Sequence, residues 1–242
     1  MSTKKQERAT QQRRQAQLEA KIAAKRARRK KTQQAVAAVL AGGLVLGGGI
    51  FAFAALGPKE AAPAASPRPV PDASLSQSRE WTGTIDTNSG PLTISLDGAA
   101  APQAVASFVM LAKEGYFNGT QCHRLTTSEI YVLQCGDPTG EGAGSPGYSF
   151  GPIENAPSDS IYPAGTIAMA RVQNDSESMG SQFFIVYADS TIPSDAAGGY
   201  TVFGTVTDGL AIVEAIAEAG TEDGSSNGRP AKTVTLNEVS VR

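Results

Sequence analysis

Hydrophobic and polar positions fall into three regimes along the 242 residues. First comes an unbroken apolar run, "AVAAVLAGGLVLGGGIFAFAAL" (35–56), without a single charge. At ~1.5 Å rise per residue it is long enough in helical form for the ~30 Å hydrocarbon core of a bilayer, so it predicts a transmembrane helix. A cleaved signal peptide is the alternative, although its apolar region is usually only ~7–15 residues. The second regime, "GPKEAAPAASPRPVPDASLSQS" (57–78), has almost no large apolar side chain and reads as an extended Pro/Ala-rich linker.

From Arg79 to the end, apolar residues return in short runs. "WTGTIDT" (81–87), "PLTISL" (91–96), "IYVLQC" (130–135), "GTIAMARV" (165–172), "QFFIVYA" (182–188), "TVFGTV" (201–206) and "KTVTLNEVSV" (232–241) are bounded by Gly, Pro, Asn or Asp and predict strands. Two stretches predict helices. "APQAVASFVMLAKEG" (101–115) has Pro102 in its first turn and Gly115 at its end; "DGLAIVEAIAEAG" (208–220) offers Asp208 as N-cap and Gly220 as terminator. Many strands with two isolated helices point to an all-β fold, a closed barrel plugged by helices, rather than alternating βαβ units.

Charge changes the picture at the N-terminus. Twelve Lys/Arg against Glu7 and Glu19 give residues 1–31 a charge of +10, while the remaining nine basic and twenty-one acidic residues give −12. The positive-inside rule therefore leaves a basic tail (1–34) in the cytoplasm and sends everything after Leu56 outside. The expected localisation is the cell membrane, single-pass, with residues 79–242 as an extracellular domain. The tail serves topology and attraction to the inner leaflet, and no nucleic-acid partner is expected.

Three motifs tempt and fail. "GAGSPG" (142–147) matches the dinucleotide pattern, but Pro146 and "GYSFGP" follow it where a helix must begin. "GSSNG" (224–228) matches the nucleophile elbow, but the sole histidine, His123, precedes it by about a hundred residues and no strand-turn-helix surrounds it. Cys122, His123 and Cys135 are one ligand short of a closed zinc site, so no metal is expected.

Taken together, "GYFNGTQCHRL", "VLQCGDPTGEGAGSPGYSF", "PAGTIAMAR", "GSQFFIVYAD" and "YTVFGTV", in that order, resemble the cyclophilin-type peptidyl-prolyl cis-trans isomerases over about residues 80–242. The resemblance implies a closed eight-stranded antiparallel barrel capped by two helices, with a hydrophobic groove on its outer face. It implies rotation of X–Pro bonds in exported or cell-surface proteins, in aid of folding, without a cofactor. Partners would be proline-containing polypeptides and, through the N-terminal span, the membrane; the chain is expected to be monomeric. Arg124 takes the place of the catalytic arginine, His123 is its neighbour at the groove edge, and Gln134 braces it. Tyr131, Val132 and Phe184 would form the proline pocket, with Ile192 and Tyr200 on its wall. Ala170 and Gln182 would line the adjoining channel.

The groove also departs from the family pattern. Cys122 stands where phenylalanine is usual, and the Arg124–Gln134 spacing is about two residues longer, which predicts a longer turn at "TTSE". Arg171 replaces a common asparagine as a second cation beside the peptide, suited to acidic flanks. "STIPSDAAGGY" (190–200) is an enlarged loop, and the only tryptophan, Trp81, lies in the first strand. These changes keep a second reading open: a catalytically weak module that only binds proline-containing segments. Cys122 and Cys135 are disulfide candidates. An oxidising compartment favours the bridge, whereas pairing of Arg124 with Gln134 sets Cys122 opposite Gly136, so bridging requires a bulge or shifted register.

Overall fold

The computed structural model describes residues 68–242; the basic tail, the expected transmembrane helix and linker residues 57–67 lie outside the described residues. Among the described residues no helix is long and apolar enough to cross a membrane. After a 3-10 turn (Ala73–Ser76), strands β1 (Glu80–Thr87) and β2 (Gly90–Asp97) form a hairpin that leads into helix α1 (Pro102–Lys113). Then follow β3 (Arg124–Ser128), β4 (Ile130–Cys135), β5 (Ile161–Tyr162), β6 (Thr166–Met169), β7 (Phe183–Val186), β8 (Ser190–Thr191) and β9 (Val202–Asp208). Helix α2 (Leu210–Glu218), β10 (Asn227–Gly228) and β11 (Leu236–Val241) complete the order.

Period-two patterning explains the first hairpin. Trp81, Ile85 and Thr87 of β1 and Leu92, Ile94 and Leu96 of β2 are buried on one face, with polar neighbours outside. Helix α1 buries Val105, Phe108, Val109 and Leu111 against the sheet. There the Phe108 ring lies 5.1 Å from Phe117, 5.5 Å from Phe183 and 5.4 Å from Phe203. Its N-terminus has no local side-chain cap; instead the Glu154 carboxylate accepts from the backbone N–H of Gln103 (2.9 Å) and Ala104 (3.0 Å). An anion at this end is favoured by the helix dipole.

Three expectations are corrected. Asp208 does not cap α2: it is the last residue of β9, and the cap is Gly209 at φ 88°, where an added Cβ would meet the Pro91 carbonyl at 2.5 Å. The β3–β4 hairpin is not looser. The ladder continues to Ser128↔Ile130 around Glu129 at φ 67°, so the extra residues lengthen the strands. The linker does not run free to Ser78: Gln103 Nε2 donates to the Pro71 carbonyl (2.9 Å) and Trp81 Nε1 to that of Ser76 (2.7 Å).

Among the described residues the all-β architecture with two helices is present, built on one nine-stranded sheet in the order β10-β3-β4-β7-β6-β9-β2-β1-β11 plus a small β5-β8 pair. Regular strand pairing does not show a closed eight-stranded barrel. The edge strand β10 has two residues, and near the β11 end the described residues show only the isolated bridge Gln121↔Thr235 with flanking bonds such as Cys122 N–H to Val234 O (2.9 Å).

Candidate active site

Antiparallel register lays out the site. Arg124 of β3 pairs with Gln134 of β4, Gln134 with Phe184 of β7, and Phe184 with Ala168 of β6. Directly paired residues share a face, so a cation, an amide, an aromatic ring and a methyl stand in one row across four strands. Beside this row lies a cavity of about 90 Å³, lined by Arg124, Val132, Gln134, Phe184, Ile192 and Tyr200, with Ile130, Ala170 and Arg171. That exceeds the ~10–15 Å³ one water needs and suits a small ring. The apolar lining forms its own cluster of Val132, Tyr162, Ala168, Phe184, Val186 and Ile192, separate from the main core.

Arg124 is held from two sides. Its Nη1 donates to Gln134 Oε1 (3.2 Å) and its Nε to Asn227 Oδ1 (2.9 Å), while Nη2 has no partner among the described residues. Gln134 Nε2 donates onward to Gln182 Oε1 (2.9 Å), and Gln182 Nε2 to the carbonyls of Gly142 and Gly144 (both 3.1 Å). This hydrogen-bonded chain fixes the guanidinium and leaves one of its edges free for a ligand. Gln134, Gln182 and Ala170 also line an adjoining cavity of about 300 Å³ under the Gly142–Ser149 loop.

Asn227 escaped the sequence reading. It lies in the "GSSNG" segment, 103 residues from Arg124, and reaches it only because β10 pairs with β3. Nothing local marks it; a polar residue beside a glycine in a loop is the commonest of patterns. Ile130 was missed too, and strand alternation would have found it.

Two expected site residues, Tyr131 and His123, do not line the ring cavity. Tyr131 does not join the pocket: it packs with Leu133 and Cys135 on the main core, its ring 5.9 Å from Tyr187. Adjacent strand residues face opposite ways, so Tyr131 and Val132 cannot both line one cavity, and Ile130 takes the position. His123 likewise lines neither cavity. It is 8% exposed, its ring lies beside Gly142, and neither ring nitrogen has a hydrogen-bond partner among the described residues. Burial pushes its pKa below the usual histidine value and nearby Arg229 and Arg124 add to this, against the opposing pull of Asp137.

Arg171 borders the cavity but is no free cation. Its side chain is 1% exposed and pairs with Asp195 at 2.9 Å. The Asp195 carboxyl is held well below the usual carboxylate range, first by Arg171 and then by the Asn174 backbone N–H. Ile192 and Tyr200 do stand on the wall, the Tyr200 ring 5.5 Å from Phe184 and edge-on to it.

Cys122 and Cys135 are bonded to each other, with Cα atoms 3.9 Å apart. The expected Arg124↔Gln134 register holds, but regular pairing stops there and resumes only as the isolated bridge Gln121↔Asp137. Gly136 at φ 86° lies in the gap, and since Gln121↔Asp137 keeps the Arg124↔Gln134 register, the cysteines bond diagonally without a register shift. Close by, burial pushes the Asp137 carboxyl up, yet hydrogen bonds from Thr139, Gly144 and Gly142 outweigh it and leave the pKa lowered.

Comparisons with known proteins point to one family. The family described as cyclophilin type peptidyl-prolyl cis-trans isomerase/CLD matches residues 82–241. The chain is 46% identical over 167 residues to a probable peptidyl-prolyl cis-trans isomerase B of Mycobacterium tuberculosis, covering 63% of this chain and 52% of that protein. It thus spans about half the length of that curated relative. A Helicobacter pylori peptidyl-prolyl cis-trans isomerase is 40% identical over 135 residues, 55% of this chain and 78% of that one. Among solved structures, a cyclophilin type isomerase of Cryptosporidium parvum, crystallised in the presence of the dipeptide Ala-Pro, superposes with a TM-score of 0.56 at 27% identity, covering 66% of this chain and 98% of that one.

Proposed function

The chain belongs to the cyclophilin-type peptidyl-prolyl cis-trans isomerases, and from that membership we propose that it catalyses rotation about X–Pro bonds of polypeptides. The observation that carries this is Arg124, held by Gln134 and Asn227 at the rim of a ring-sized cavity lined by Phe184. Rotation about a peptide bond faces a resonance barrier of ~18–20 kcal/mol, and uncatalysed X–Pro exchange takes tens to hundreds of seconds. Twisting the bond localises the nitrogen lone pair. A fixed guanidinium edge then stabilises the twisted imide more than either planar isomer, and only such a difference accelerates the step.

Arg124, Val132, Gln134, Phe184, Ile192, Tyr200, Ala170 and Gln182 are the residues assigned to this work. An acceleration of ~10⁵ requires about 7 kcal/mol of selective stabilisation. A charged hydrogen bond supplies ~1.5–3 kcal/mol of that; desolvation of the ring and a bent bound conformation are left to supply the rest. A protease-coupled proline-peptide assay tests the proposal: Arg124→Ala should lose about ten- to a hundredfold in kcat/KM. Equal background rates in both proteins would instead support the weak binding module. Two features behind that alternative are weakened, because Tyr131 is out of the groove and Arg171 is neutralised.

The finer reading is a monomeric, membrane-anchored enzyme acting on exported or surface proteins. Its supports are the apolar run 35–56, the +10 leader against the −12 remainder, and the Cys122–Cys135 bridge, which suits an oxidising compartment. Protease added to intact cells should remove residues 79–242 and spare the basic tail; protection of both would overturn this topology.

A further inference from the structure

The Arg171 guanidinium spends every donor it has inside the protein. Nε donates to the Gly199 carbonyl (2.9 Å), Nη1 to Asp195 Oδ2 (2.9 Å) and the Val172 carbonyl (3.2 Å), and Nη2 to Asp195 Oδ1 (2.9 Å) and the Gly198 carbonyl (2.6 Å). Five N–H groups meet five acceptors, so none is left for a peptide. Four of the five acceptors lie in the enlarged 190–200 loop. Asp195 accepts from the N–H of Asn174 and of Ala197 (both 2.9 Å), and Asn174 Oδ1 accepts from the N–H of Ala196 (3.2 Å).

The carbon of the same guanidinium lies over the Tyr200 ring, 4.7 Å from its centroid, and Tyr200 in turn stands edge-on to Phe184. One buried side chain therefore sets where the loop ends and how the aromatic wall is tilted.

We propose that Arg171 and Asp195 are a positioning pair that fixes Tyr200 and Ile192 as the wall of the ring cavity, so that affinity for the prolyl ring depends on a salt bridge the substrate never touches. This rests on the isomerase reading for its catalytic half, but predicts a binding effect that exists without turnover. Lysine cannot replace the arginine, since a point charge lacks the planar fork that grips a carboxylate and two carbonyls at once.

The test uses the 242-residue chain and a tetrapeptide with an Ala–Pro bond, followed by NMR exchange for kcat and KM and by chemical shifts for Kd. The variants are Asp195→Ala, Arg171→Lys and the double Arg171→Met/Asp195→Ala, which removes both charges and so does not strand one of them. Arg124→Ala is measured beside them, and Trp81 fluorescence checks folding away from the groove. A prolyl ring that loses an apolar wall loses part of its burial, so Kd and KM should rise about ten- to a hundredfold in the folded pair variants while kcat stays within about twofold. A folded double variant with wild-type Kd and KM overturns the proposal. A wild-type protein that fails to turn the peptide over, but binds it and loses that binding in the pair variants, sinks the isomerase reading and leaves the positioning pair standing.

Discussion

Strands β4 and β7 each serve two hydrophobic regions of opposite character. On one face Leu133, Cys135, Phe183 and Ile185 enter the main core, where α1 and the first hairpin close over them. On the other, Val132, Phe184 and Val186 join the groove cluster, which borders an open cavity and a hydrogen-bonded row of Arg124, Gln134 and Gln182. The core is a filled volume whose side chains act through the area they bury. The groove presents a similar kind of apolar surface to one side only and leaves space for a ligand. A sheet makes a binding site by giving its second face greasy side chains that the fold itself does not cover.

Neighbours on one strand separate the two roles most sharply. Phe183 is fully buried, its ring 5.5 Å from Phe108 and 5.8 Å from Phe117. Phe183→Ala should cost ~3–5 kcal/mol of stability, as large aromatic truncations in cores do, with kcat of the folded fraction unchanged. Phe184→Ala, one residue on, should cost clearly less stability because part of its surroundings is already cavity, yet raise KM strongly. Guanidinium denaturation and peptide kinetics on both variants check this; matching stability losses with matching kinetics would erase the distinction.

The disulfide belongs to the core side of the comparison, although it abuts the groove row. It closes a loop with a sequence separation of 13, and a loop of ~15 residues stabilises by about 3 kcal/mol when cross-linked. Cys122→Ala/Cys135→Ala should lose about that much by denaturant titration. The hairpin ladder beside Arg124 should keep kcat/KM near wild type in the folded protein.

On the groove side, Arg124→Ala removes a charged hydrogen bond worth ~1.5–3 kcal/mol in the transition state, a loss of about ten- to a hundredfold in kcat/KM. Asn227→Ala leaves the guanidinium in place but frees its Nε, and the fall should be smaller and confined to kcat. A larger loss from Asn227→Ala than from Arg124→Ala would show that the loop, not the cation, does the work.

How much of this was legible follows the same division. Alternation along β1 and β2 and the apolar period of α1 marked the core, because burial of one face is a local property of sequence. Arg124, Gln134 and Phe184 were legible through resemblance and stand in one row. Tyr131 was misread where resemblance outran alternation, being placed on the same side as Val132, and His123 lines neither cavity. Arg171 was misread because sequence shows a charge and not its partner, here Asp195, twenty-four residues on. Asn227 and the Glu154 cap were invisible for the same reason: only the folded chain brings them to their targets.

His123 offers the finest test, since it lies beside Arg124 in sequence yet lines neither cavity. Its folded pKa is lowered chiefly by burial, below the ~6.5 of an exposed histidine. As pH falls through that value, the unfolded chain takes up a proton that the folded chain refuses. Stability is therefore complete above ~6.5 and drains away below it, by at most ~1.4 kcal/mol per pH unit, until the folded pKa is reached. The chain has one histidine, so no second imidazole blurs the window, and carboxylates such as Asp137, whose pKa is lowered, titrate below it. Denaturation midpoints read by Trp81 fluorescence should fall from pH 7 to pH 5.5 in the wild type and stay level in His123→Asn, with kcat/KM equal in both at pH 7. A midpoint that rises on acidification would mean that the protonated ring gains Asp137 as a partner, and a collapse of kcat/KM in His123→Asn would return this side chain to the groove.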